Sequence, residues 1–111
     1  MKIMNKALMI LLLFATSISA FAQTKVVYPL PLLHENNEIW GYAYNGDRKL
    51  QVIGYMFDQA NQFEGATGLA IVRMDGYAGA IDINGNFIID PVYDDISYQP
   101  YSNSYIVLKN E

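Results

Sequence analysis

Three dipeptides constrain this chain most: Asn45-Gly46, Asp75-Gly76 and Asn84-Gly85, each set between runs of apolar and aromatic residues. Asn, Asp and Gly tolerate positive φ, which both central residues of a tight type I′ turn require. Each dipeptide predicts a β-hairpin, and Asn36-Asn37 is a fourth candidate turn. Strands are predicted at 30–35, 39–44, 50–56, 68–74, 77–83, 86–90 and 104–109, rich in Tyr, Ile, Val and Phe, which suit a pleated surface. No helical stripe of ten residues follows residue 22, and 58–63 is read as one helical turn at most.

The strands repeat. At a spacing of 36, Val52 to Asp58 falls over Ile88 to Asp94, and Ala70-Ile71-Val72 over Ile106-Val107-Leu108. At 38, Trp40-Gly41 falls over Ala78-Gly79, and at 39 the two Asn-Gly turns coincide. The drift predicts an insertion of two to three residues near Asp47-Arg48-Lys49. The expected fold is all-β: two tandem antiparallel hairpin repeats of 36–39 residues, at about 39–74 and 77–111.

This unit resembles the WG repeat of bacterial proteins. That pattern runs as a turn Gly, Trp-Gly-aromatic, a second turn Gly, an apolar strand, Pro-x-Tyr-Asp, an aromatic and Gly-Leu-Ala. Its first copy here is Trp40-Gly41-Tyr42, Phe57-Asp58, Phe63 and Gly68-Leu69-Ala70. Its second is Gly76, Ala78-Gly79, Gly85 and Pro91-Val92-Tyr93-Asp94. Ala78 stands where the signature has Trp, and Tyr55 where it has Pro. The resemblance spans about residues 32–111 and implies a binding or interaction scaffold without a shared chemistry. On physical grounds, Trp40 is expected to bury its ring, Gly41 to admit a close neighbour, and each aromatic-Asp to pack its ring and cap the next turn.

The N-terminus predicts a destination. Lys2 and Lys6 precede an apolar run from Ala7 to Ala15, a polar break at Thr16, Ser17 and Ser19, and the small-residue site Ala20-Phe21-Ala22. That is the order of a secretory signal peptide over 1–22, with 23–31 as a lead-in to the β domain. The apolar run is about half the roughly 20 residues a membrane span needs. With no cysteine, the chain has no acylated-cysteine lipid anchor, no disulfide and no thiolate metal site. Removing 22 of 111 residues leaves 89, and losing two lysines takes the net charge from −4 to −6. An acidic chain with scattered basic residues predicts no nucleic-acid partner, and none in an anionic membrane after cleavage. The expected location is the periplasm or the outside of the cell.

No catalytic, metal or cofactor site is expected. Asp82-x-Asn84-Gly85-Asn86 has oxygen donors, but Tyr93 stands where a calcium loop places its bidentate acid. Asp90, Asp94 and Asp95 lie close in sequence without a groove motif around them. His34 is the single histidine, with only distant serines 97, 102 and 104 to serve as nucleophiles. Tyr93, Tyr98, Tyr101 and Tyr105, interleaved with amides, form the one candidate ligand surface, suited to a glycan or a peptide. The sequence stops where a further W-Gly strand is expected, and three readings follow: the closing strand pairs with another copy, it docks onto a partner, or the chain is a truncated or degenerate product of a longer repeat protein. The reading is a non-enzymatic module that binds a protein or itself through a β edge, with a small carbohydrate-binding domain as the alternative.

Overall fold

The computed structural model describes residues 5–10 and 26–110, with side chains from Val26 onward. Most of the predicted leader, including its cleavage site, and Glu111 lie outside the described residues. Among the described residues, ten strands form three antiparallel sheets: β1(Asn5–Ile10), β2(Leu30–Leu33), β3(Trp40–Ala43), β4(Gln51–Phe57), β5(Gln59–Ala60), β6(Ala70–Met74), β7(Tyr77–Ile81), β8(Phe87–Tyr93), β9(Asp95–Gln99) and β10(Ser104–Asn110). The first sheet is ordered β2-β3-β4, the middle one β5-β6-β7-β8 and the last β1-β10-β9. The all-β hairpin architecture read from the turns is the one observed.

Two turns have the expected backbone. Asn45 and Gly46 sit at φ 57° and 66°, and Asp75 and Gly76 at 55° and 85°. The third differs. Only Gly85 has positive φ, and Asp82 organises a longer loop by accepting from the backbone N–H groups of Asn84 and Asn86, both at 2.9 Å. The predicted insertion is a single 3-10 turn at Arg48–Leu50, which Asp47 caps by accepting from the Lys49 N–H at 3.0 Å. Residues 59–60 form a short strand on β6, so the helical turn expected at 58–63 is absent.

The repeat is shared between sheets. The pairings Trp40↔Phe57, Tyr42↔Ile53 and Ala43↔Gln51 recur as Ala78↔Tyr93, Ala80↔Ile89 and Ile81↔Phe87. The closing strand aligns one residue off the spacing read from sequence. Ala70, Val72 and Arg73 match Tyr105, Val107 and Leu108, a spacing of 35, because that offset superposes the buried positions. Side chains alternate faces along a strand, so a one-residue slip would turn the core outward.

The middle sheet therefore carries β5 and β6 from the first unit and β7 and β8 from the second. It is covered on both faces. Tyr42, Ile53, Phe57, Phe63, Ala70, Val72 and Ile81 form one core with the first sheet. Leu69, Ala78, Ala80, Ile89, Ile96, Tyr105 and Val107 form another with the last sheet. Tyr28 stacks on Phe63 at 5.6 Å and Pro29 is fully buried, so the packed body starts inside the expected lead-in.

The two cores have similar content in exchanged positions. In the first, Tyr42 on the opening strand meets a closing strand carrying Ala70. In the second, Ala80 takes the opening position and Tyr105 the closing one. Each core thus holds one fully buried tyrosine opposite one alanine, on opposite strands. Tyr42→Ala and Tyr105→Ala should each cost about 3–5 kcal/mol in urea unfolding, as large-to-small core changes do. Tyr101→Ala, at a fully exposed ring, should stay within about 0.5 kcal/mol.

Candidate functional site

The signature glycines are positioned by a bulge. Register shifts interrupt β3·β4 around Trp40 to Tyr42, and β7·β8 around Ala78 to Ala80. Opposite each, the partner strand folds its backbone inward. A Cβ on Gly41 would lie on the Ile53 carbonyl and 2.9 Å from the Gly54 carbonyl oxygen. A Cβ on Gly79 would lie 2.7 Å from the Ile89 carbonyl oxygen and 2.9 Å from the Pro91 nitrogen. Only glycine admits that approach. Pro91 is tolerated because β8 is an edge strand. Tyr55 takes the same place on edge strand β4, its ring edge-on to His34 at 4.6 Å.

The remaining motif residues serve the frame. Trp40 is half-buried against the first core, and Ala78 is fully buried in the second. The Asp58 carboxylate accepts from the Gly76 N–H at 2.9 Å, tying β4 to the β6–β7 turn. Asp94 repeats this on the Asn110 N–H at 2.5 Å, tying β8 to the end of β10. Their own N–H groups donate to the Arg73 and Leu108 carbonyls at 2.7 and 2.8 Å. Arg73 links the units, donating to the Asp94 carbonyl at 2.9 Å and pairing with Asp95 at 3.3 Å. Gly68 has φ 73°, and Leu69 is buried in the second core.

The four tyrosines proposed as a ligand surface do not share one. Tyr105 is fully buried, its hydroxyl 2.6 Å from Thr67 Oγ1. Tyr98 packs on it at 5.2 Å and donates to Asn103 Oδ1. Tyr93 packs on the same core, and Tyr101 alone is free. Sequence spacing brought the rings together, but β9 and β10 turn three of them toward the second core. Of the residues weighed for chemistry, Asp82 is spent on its loop, Asp94 on Asn110, and His34 accepts from the Asn36 N–H at 3.2 Å. No group of three metal-ligating side chains occurs among the described residues.

What sequence reading missed is a repeated exposed feature. Edge strand β4 presents Val52 and Met56 to solvent, and edge strand β8 presents Ile88 and Val92 at the equivalent positions. Strand alternation in the fold produces it: Ile53 and Phe57 point into one core and Ile89 into the other, so their neighbours point out. A shallow groove of about 290 Å³ lies beside Val92 on β8, lined also by Tyr77, Asp94, Lys109 and Asn110. Exposed aliphatic pairs on unpaired strand edges can bind an apolar or extended partner.

Burial also raises the phenol pKa of Tyr42 and pushes that of Tyr105 up to about 12. Both groups hold their protons more tightly in the fold than at the ordinary value of 10.0. The Tyr105 contribution is complete below pH 10 and is lost as pH rises toward 12, and that of Tyr42 persists to higher pH. Tyr105→Phe should flatten the decline in unfolding free energy over that window. Gly79→Ala should destabilise by about 1–3 kcal/mol through overpacking. Gly54→Ala, with open space at its Cβ, should cost far less in the same denaturation assay.

No curated protein and no solved structure matches the chain. A family model does match, over 33 residues from the Gly79 bulge to the C-terminus. Residues 79–111, which make up most of the second unit seen in the fold, are similar to the WG containing repeat.

Proposed function

We propose that this chain is an exported, non-enzymatic interaction module that binds a protein partner. The observation that carries this reading is the repetition of exposed aliphatic pairs, Val52/Met56 and Ile88/Val92, on the edge strands of two successive units. A pair kept at the same place in both units, while Tyr and Ala exchange places inside, is a surface with its own requirement. Repeat arrays use such surfaces to contact extended partners. Export follows from the leader pattern over 1–22. Glycan binding is the weaker reading, because only Tyr101 of the four tyrosines presents a free ring.

The test uses protein recovered from exporting cells. Its mass should correspond to a start at Gln23. Crosslinking in those cells should give a protein adduct that Ile88→Asp/Val92→Asp abolishes, with the fold unchanged by circular dichroism. Retention on immobilised polysaccharide that is lost in Tyr101→Ala would replace this reading with the carbohydrate one.

A further inference from the structure

The last sheet is completed by a strand from the other end of the chain. β1 pairs antiparallel with β10, from Asn5↔Asn110 to Ile10↔Tyr105. In the middle sheet, β7 pairs with β6 from Ala70↔Ile81 to Met74↔Tyr77. Tyr105 is the structural equivalent of Ala70, so Ile10 occupies the register position of Ile81. β1 thus fills the slot that the W-Gly strand of a following unit would take. The β10 edge accepts an extended antiparallel strand, and the occupant here belongs to the segment read as the leader.

We propose that removal of the leader opens the β10 edge to the β10 strand of a second copy, giving a two-fold symmetric dimer with the pairing centred on Val107. The proposal rests on the export reading only in requiring that 1–22 be removed. Three observations select a second copy. β10 has seven residues, and centring on Val107 is the one antiparallel register that pairs all of Ser104–Asn110. The register with β1 sets Lys6 opposite Lys109, and like charges directly opposite are unfavourable. Centring on Val107 sets Lys109 opposite Tyr105, and Ile106 opposite Leu108. Ile106 and Leu108 are half-buried with β1 in place, so its loss uncovers apolar surface on the free edge. Such a contact is isologous and closes at two copies.

The experiment measures mass by light scattering at tens of micromolar. The leader-bearing chain, made without export, should be monomeric, and the processed chain should show twice the monomer mass. Ile106→Lys/Leu108→Lys places lysines opposite lysines and should return the processed chain to monomer. These residues face away from the Tyr105–Val107 side, so near-ultraviolet circular dichroism should keep its wild-type form. An equimolar mixture with Ile106→Glu/Leu108→Glu should recover the doubled mass, as only opposed 106–108 positions allow. A processed chain that stays monomeric, or a dimer indifferent to both variants, overturns this proposal alone. A recovered protein that retains its leader overturns the export reading together with it. Loss of the partner adduct in Ile88→Asp/Val92→Asp without change in dimer mass supports two separate surfaces.

Discussion

The passage of one backbone over another at Gly41 and Gly79 is the contact on which the remaining geometry depends. Where a residue with a Cβ would collide with the Ile53 or Ile89 carbonyl, glycine lets the facing strand bulge inward. The bulge takes two extra residues into that strand, a shift that preserves the alternation of its side chains, so Ile53 and Phe57 both stay on the first core. It also brings the strand end to the point where Asp58 or Asp94 can accept a backbone N–H from the neighbouring closing strand or turn. The glycine, the aromatic and the aspartate of the motif are thus three consequences of one local distortion.

Around that distortion the cores are free to vary. Tyr42 with Ala70, and Ala80 with Tyr105, fill equivalent spaces from opposite strands, and the hydroxyls of these two tyrosines have oxygen partners, the Asn61 carbonyl at 2.7 Å and Thr67 Oγ1 at 2.6 Å. A buried phenol without a partner would cost about 1–3 kcal/mol. Ala78 can replace tryptophan in the second unit because that core is already filled by Tyr105 with Tyr98 and Tyr93 around it. The signature residue can therefore be absent while the unit keeps its shape.

Much of this fold is legible in the chain because it is written locally. Asn45-Gly46 and Asp75-Gly76 encode their turns in two residues, and the extra residues near Asp47 appear as the capped turn that the drift in spacing required. Long-range properties were not legible. The closing strand was aligned one residue off because Ile106-Val107-Leu108 is apolar at every position, and alternation cannot be read from an unbroken run. The tyrosines looked like a surface because clustering in sequence says nothing about facing, which β9·β10 pairing decides. The exposed pairs on β4 and β8 were hidden in apolar runs for the same reason.

The middle sheet has a consequence for how such chains can grow. Its strands come in equal number from two units, joined at the Asp75-Gly76 turn inside the sheet rather than at a linker. A sequence unit is therefore not a folding unit. Duplication that copies one motif in frame adds half of one sheet and half of the next. Cleavage at a unit boundary would cut a sheet in two. Such an array should gain and lose members without leaving a separable domain behind, because each boundary runs through a sheet.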